Sequence, residues 1–150
     1  MRATIPSLAL WLGLAGLLPF LVSVSVAWLA PIAWQMFAIE AFLYYSAVIL
    51  SFLGGIQWGV AMSLETVGST GFRIRLLLSM VPSLIAWPAL LLHPLTGAWV
   101  LAIGFVLVRF HELSLHGRAE LPDWYQSLRL HLTLIVLASH ALLIWRLWGG

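Results

Sequence analysis

Charged residues divide this chain into long apolar stretches. From Thr4 to Ile39 no side chain carries a formal charge, and from Ala41 to Leu64 none does again, with Glu40 alone between them. A hydrocarbon core about 30 Å thick takes roughly 20 helical residues. The first stretch is too long for one span. The break that suits it is Ala30-Pro31-Ile32-Ala33, with Trp28 and Trp34 at interfacial positions on either side. The pattern therefore predicts a first helix over 7–29 and a second over 34–62. Residues 76–108 are uncharged again, too long for one span and just enough for two short ones. The turn LHPLTG, with Pro94 and Gly97, separates a third helix over 73–92 from a fourth over 95–113. A fifth covers 126–148 and carries Trp145 and Trp148 at its end. The pattern predicts an all-α membrane protein, a five-helix transmembrane bundle forming a single domain over 1–150.

Composition agrees. Of 150 residues, 63% are apolar and 8% charged, where a soluble domain has roughly a quarter charged. Such a chain cannot cover a water-facing surface. The first helix follows a lone Arg2, runs well beyond the about 7–15 residues of a signal-peptide core and ends without an A-x-A site, so it reads as an uncleaved anchor. The absence of cysteine excludes disulfides, thiolate metal sites and cysteine nucleophiles.

All seven basic residues are arginines. With five spans, Arg2, Arg73, Arg75, Arg109, Arg118 and Arg129 fall on one side of the membrane and only Arg146 on the other. The positive-inside bias then sets the N-terminus inside and the C-terminus outside. No arginine run is interleaved with aromatics, so nucleic acid is not an expected partner.

On the second helix Ala47, Ser51, Gly55, Gly59 and Ser63 recur at every fourth residue. In lipid, helices gain little by covering apolar surface, and close backbone approach at small residues must do more. The ridge is therefore expected to pack against another helix of the chain, a second copy, or a membrane-protein partner. Gln57 lies about 200° around the helix from Gly55 and so is expected to face away from that ridge. An amide in hydrocarbon needs a partner, either an interhelical hydrogen bond or a substrate, ion or cofactor.

Sorting by depth places Gln57, Ser79, Arg109 and His131 near the inner surface. Ser51, Ser83 and His140 fall near the midplane, and Glu40, Tyr44, His93 and Arg146 near the outer surface. Arg109 either snorkels to headgroups or turns inward toward Gln57 and His131 to make an anion pocket. Glu112, Glu120 and Asp123 read most simply as solvated interface charges, and Trp124 and Tyr125 as interfacial anchors. His140 reads as a neutral imidazole bonded to Ser51, Ser83 or a backbone carbonyl. Haem ligation would need a second histidine at its depth, hence a homodimer. There is no phosphate loop, no H-E-x-x-H and no intramembrane carboxylate pair, so no catalytic residue, metal or cofactor is expected. Pro19, Pro82 and Pro88 are positioned to kink their helices.

Three stretches, YYSAVILSFLGGIQWGVA (44–61), VPSLIAWPALLL (81–92) and LPDWYQSLRLHLT (121–133), resemble the domain-of-unknown-function family 3429. The most specific parts are SFLGG-x-x-WG, Ser51 to Gly59, and P-x-WY-x-x-LR-x-x-LT, Pro122 to Thr133. The resemblance covers about residues 6–145. It implies a small multi-helix membrane protein, in a family that includes a mitochondrial member and has no established activity. It also implies that many members carry a basic residue or histidine where this chain has Gln57, a departure that argues against proton carriage there.

The leading expectation is an integral inner-membrane protein, bacterial or, in a eukaryote, mitochondrial, surrounded by lipid. It acts as a non-catalytic bundle, an assembly or accessory factor. The alternative is a small oligomeric transporter or lipid- or quinone-binding protein using Gln57, Arg109 and His131, or His140. An intramembrane enzyme lacks an evident nucleophile or metal set. Topology is directly testable. A reporter active only on the outer side, fused after Gly150, is expected to be active, and silence would reject five spans with the N-terminus inside.

Overall fold

The computed structural model describes residues 5–113 and 122–149. Arg2, Arg118, Glu120 and Leu121 lie outside the described residues. Among the described residues six helices follow in order: α1 Ser7–Leu29, α2 Ile32–Leu64, α3 Thr70–Ser79, α4 Val81–Ala89, α5 Pro94–Leu113 and α6 Asp123–Gly149. With α3 and α4 counted as one broken span, Thr70–Ala89, five segments among the described residues are long and apolar enough to cross a membrane.

Local chemistry explains the ends. Pro6 and Pro31 immediately precede α1 and α2, where a missing N–H costs nothing. Ser69 caps α3 by accepting from the Phe72 amide at 3.1 Å, which starts that helix three residues before the expected 73. Asp123 sits in the first turn of α6, the favourable place for a negative charge. The expected continuous third helix is broken at Met80 because Pro82 has no N–H to donate to Leu78 and its ring crowds that carbonyl. Pro19 and Pro88, by contrast, lie inside helices that continue past them.

α2 stands at the centre and touches α1, α3, α4 and α5, while α6 closes the bundle between α1 and α5. Phe20, Phe42, Leu50, Leu101, Phe105 and Leu143 are fully buried where these helices meet. Phe20 meets Phe42 edge-on at 5.3 Å and Phe105 at 6.4 Å. Large apolar side chains elsewhere face outward, among them Trp11, Leu29, Phe37, Leu84 and Phe110. In water such a surface would aggregate; in a bilayer it is the solvated face.

The small-residue ridge of α2 does not form one packing face. Ala47 is buried and Ser51 half-buried, but Gly55 and Ser63 are exposed, and a Cβ added at Gly55 or Gly59 would meet nothing within 4 Å. The reason is geometric. Each step of four residues turns the helix about 40° beyond a full circle, so Ala47 and Ser63 stand about 160° apart. The face that packs is instead Ser46, Leu50, Leu53, Gly54, Gln57 and Ala61, all buried. Gln57 does face away from Gly55, as expected, but the packing side is the one that carries the amide, and Gly55 faces lipid.

Gly54 is where α2 requires glycine, because a Cβ there would stand 2.5 Å from the Ser79 carbonyl oxygen at the α3–α4 break. Gly54→Ala should force these backbones apart and destabilise by about 1–3 kcal/mol. Gly55→Ala should be neutral. Thermal unfolding of both variants in detergent checks this, and equal melting temperatures would refute the close contact.

Candidate functional site

The intramembrane polar residues fall into separate clusters, each assembled by the ends or middles of particular helices. At the arginine-rich end, Glu112 near the C-terminus of α5 faces Arg129 near the N-terminus of α6. Arg129 Nε donates to Glu112 Oε2 at 3.0 Å and Nη2 donates to Oε1 at 2.6 Å, with both side chains buried. Arg109, one turn earlier on α5, reaches the same carboxylate at 3.6 Å and donates to Gln126 Oε1 at 3.3 Å. Two guanidinium groups thus share one carboxylate. Bidentate charge-assisted bonds are what make such a group tolerable away from water.

The expectation of Glu112 as a solvated interface charge is therefore corrected: it is 1% exposed. Arg109 is also buried rather than extended toward headgroups. Asp123, its companion in that reading, is exposed.

Gln57 belongs to a second cluster. Its Oε1 accepts from Arg75 Nη1 at 3.2 Å, and Arg75 Nη2 donates to Glu65 at 3.1 Å. This ties the end of α2 to α3 across the 65–69 turn. Gln57 and His111 also border a cavity of about 160 Å³ against Pro82 and Gly104. Ser79 is buried and donates to Leu76 O at 2.6 Å within its own helix.

His131 is exposed, with Nδ1 2.7 Å from Ser127 O on its own helix. Gln57, Arg109 and His131 therefore do not converge. Depth assigns a level in the membrane but not a direction around the helix, and their helices point them at different neighbours.

His140 is fully buried between Phe20, Phe42 and Phe105, whose ring centroids lie 4.8–5.7 Å from its own. Its Nδ1 lies 2.8 Å from Val136 O, and because a carbonyl only accepts, Nδ1 carries the proton. In the neutral ring Nε2 then accepts from Ser46 Oγ at 2.7 Å. The serine partner is Ser46 of α2 rather than Ser51 or Ser83.

A further tie at the opposite end joins Arg146 to Gln35 Oε1 and, at 3.2 Å, to Ala27 O. Trp28 Nε1 adds a bond to Leu142 O at 3.0 Å.

Sequence reasoning missed Ser46, Arg75, Glu112 and Arg129 as buried partners, and the half-buried Glu65. A signal existed for Glu112 and Arg129. Counted on the expected spans 95–113 and 126–148, Glu112 lies one residue and Arg129 three residues from the same face of the membrane, within a turn of each other. Among the described residues, no group of three or more histidine and acidic side chains is placed to hold a metal ion.

Glu112→Gln would leave two arginines buried against a neutral amide, and should cost about 3–5 kcal/mol of stability. Asp123→Asn, at an exposed position, should change stability by less than about 0.5 kcal/mol. Thermal unfolding in detergent distinguishes them.

The chain is 37% identical to transmembrane protein 69 of Xenopus tropicalis over 141 residues, 89% of this chain and 52% of that protein. It is 33% identical to transmembrane protein 69 of Mus musculus, over 89% of this chain and 54% of that protein. The chain thus spans about half the length of the curated relatives it matches. No solved structure matches. The model of the family described as protein of unknown function (DUF3429) matches residues 5–145, from before α1 into the last turns of α6, and the chain belongs to that family.

Proposed function

We propose that this membrane protein is a non-catalytic helical bundle of the inner membrane, bacterial or mitochondrial, serving as an assembly or accessory factor for another membrane protein or a second copy of itself. One observation carries this reading. The charged and polar clusters inside the bundle are engaged with the protein's own groups, Glu112 by Arg129 and Arg109, Arg75 by Glu65 and Gln57, and His140 by Ser46 and Val136 O. A group that must act on a substrate needs a free functional atom aimed at it.

The transporter reading rested on Gln57, Arg109 and His131 lining one pocket, or on His140, and each of these residues bonds a separate group of the protein. The surface best suited to another helix is the lipid-facing side of α2 at Gly55 and Gly59, where no side chain stands in the way.

The chain has no cysteine, so single cysteines introduced there give unambiguous cross-linking handles. In native membranes, Gly55→Cys and Gly59→Cys are expected to yield one adduct of defined mass, a dimer or a stoichiometric partner. Phe110→Cys, exposed on α5, should yield none. Absence of an adduct at both glycine positions overturns the reading. So does a solute flux through the reconstituted protein that Gln57→Leu abolishes.

A further inference from the structure

A cleft of about 260 Å³ opens between α1, α2 and α6 toward the arginine-rich end of the bundle. Ligand pockets usually enclose about 300–1,000 Å³, so this one suits part of a longer molecule whose remainder lies in the bilayer. Its α2 wall includes Phe52, 62% exposed on the outer surface, so the cleft communicates with lipid.

Its α1 wall is formed by Leu12, Gly13, Gly16, Leu17 and Phe20. At Gly13 the helix packs closely, a Cβ there meeting Leu132 and Leu128 at 3.2 and 3.4 Å, but a Cβ added at Gly16 would find only the Tyr45 hydroxyl, at 3.9 Å. That hydroxyl donates to Gly16 O at 2.7 Å and fixes the spacing of α1 from α2.

The α6 wall is graded. Tyr125, Arg129 and Thr133 line the cleft at intervals of four residues, each about 6 Å deeper than the last, and Val136 continues the wall as apolar surface. Thr133 is 3% exposed, and its Oγ1 has no hydrogen-bond partner. A hydroxyl inside a helix usually returns to the carbonyl four residues back, as Ser139 does to Ile135 O at 2.9 Å on this same helix. Thr133 does not; its hydroxyl is enclosed and unpaired on a residue that lines the cleft.

The buried charge has a sign. Arg109 and Arg129 face the single carboxylate of Glu112, which leaves one positive charge in excess inside the cluster; the offsetting Asp123 is outside it, exposed at the start of α6. Polar groups thus sit at the membrane-surface end and the apolar wall leads toward the midplane. That is the order of head and tail in a lipid of the adjacent leaflet.

We propose that this cleft holds one anionic, acyl-tailed lipid. Its tail lies past Gly13 and Gly16 toward Phe20, an ester oxygen accepts from Thr133, and its acidic head lies level with Arg129 and Tyr125. The proposal stands independently of any partner bound by α2.

Native mass spectrometry tests it on the full chain released from discs of phosphatidylcholine alone, phosphatidylcholine with phosphatidylglycerol, or phosphatidylcholine with a short-tailed quinone. One phosphatidylglycerol per chain should survive conditions that strip phosphatidylcholine. Thr133→Val should weaken that retention roughly fivefold, as expected for one lost hydrogen bond. The delipidated Thr133→Val protein should melt no lower than wild type, because the hydroxyl it loses was unpaired. Gly16→Leu, which fills the cleft, should abolish retention.

Retention unchanged in Thr133→Val overturns the site, and that arm decides alone if Gly16→Leu fails to fold. Equal retention of phosphatidylcholine, or capture of the quinone in place of phosphatidylglycerol, overturns the anionic-lipid assignment.

Discussion

The carboxylate of Glu112 is sealed within the bundle, and two guanidinium groups from two helices hold it there. A charge in hydrocarbon without water must be met by an opposite charge or by backbone groups. α5 and α6 are therefore committed to one register where Glu112 and Arg129 coincide. Arg129 shares a stripe of α6 with Tyr125 and Thr133, so the ion pair that joins the helices also aims those side chains at the space beside α1. Loss of the pair would release the rotation of α6 as well as its attachment.

The same logic runs along α2. Gln35, Ser46 and Gln57 are spaced by eleven residues, about three full turns, and so lie on one stripe at intervals of roughly 16 Å. Each makes a polar tie at a different depth: Gln35 to Arg146, Ser46 to His140 and Gln57 to Arg75. Interhelical hydrogen bonds in membranes contribute on the order of 1 kcal/mol each. What they specify is rotation, because apolar side chains pack nearly as well against lipid as against one another. The polar stripe fixes which side of α2 faces inward, and Gly54 then permits the contact with Ser79 O that brings α3 and α4 close.

The spans were legible because their cause is one-dimensional. Runs of uncharged residues set them, and α1 falls at the expected 7–29 while the other outer boundaries move by three residues or fewer. The interruption at Met80 follows from Pro82, a residue already recognised as a source of kinks. Direction around each helix was less legible, because it depends on partners distant in sequence. The four-residue recurrence from Ala47 to Ser63 draws attention to glycines that face lipid, whereas the eleven-residue recurrence of Gln35, Ser46 and Gln57 marks the true inner side. For His140 the level and the kind of partner were readable, and the identity of the serine was not. Glu112 was misjudged because a carboxylate near a helix end resembles a solvated one until its neighbour across the bundle is known.

A bundle that satisfies its polar groups internally has few atoms left with which to engage anything else, and those few become informative. The family match runs over residues 5–145, through all five apolar segments as far as the last turn of α6. Among the described residues, two such features are the glycine surface of α2 and the cleft lined by Thr133. Both open sideways into the hydrocarbon, and neither is a passage from one side of the membrane to the other. Molecules that meet such features must approach within the plane of the bilayer, as helices and lipids do. A water-soluble substrate would have to leave water first and would then find the charged side chains already paired.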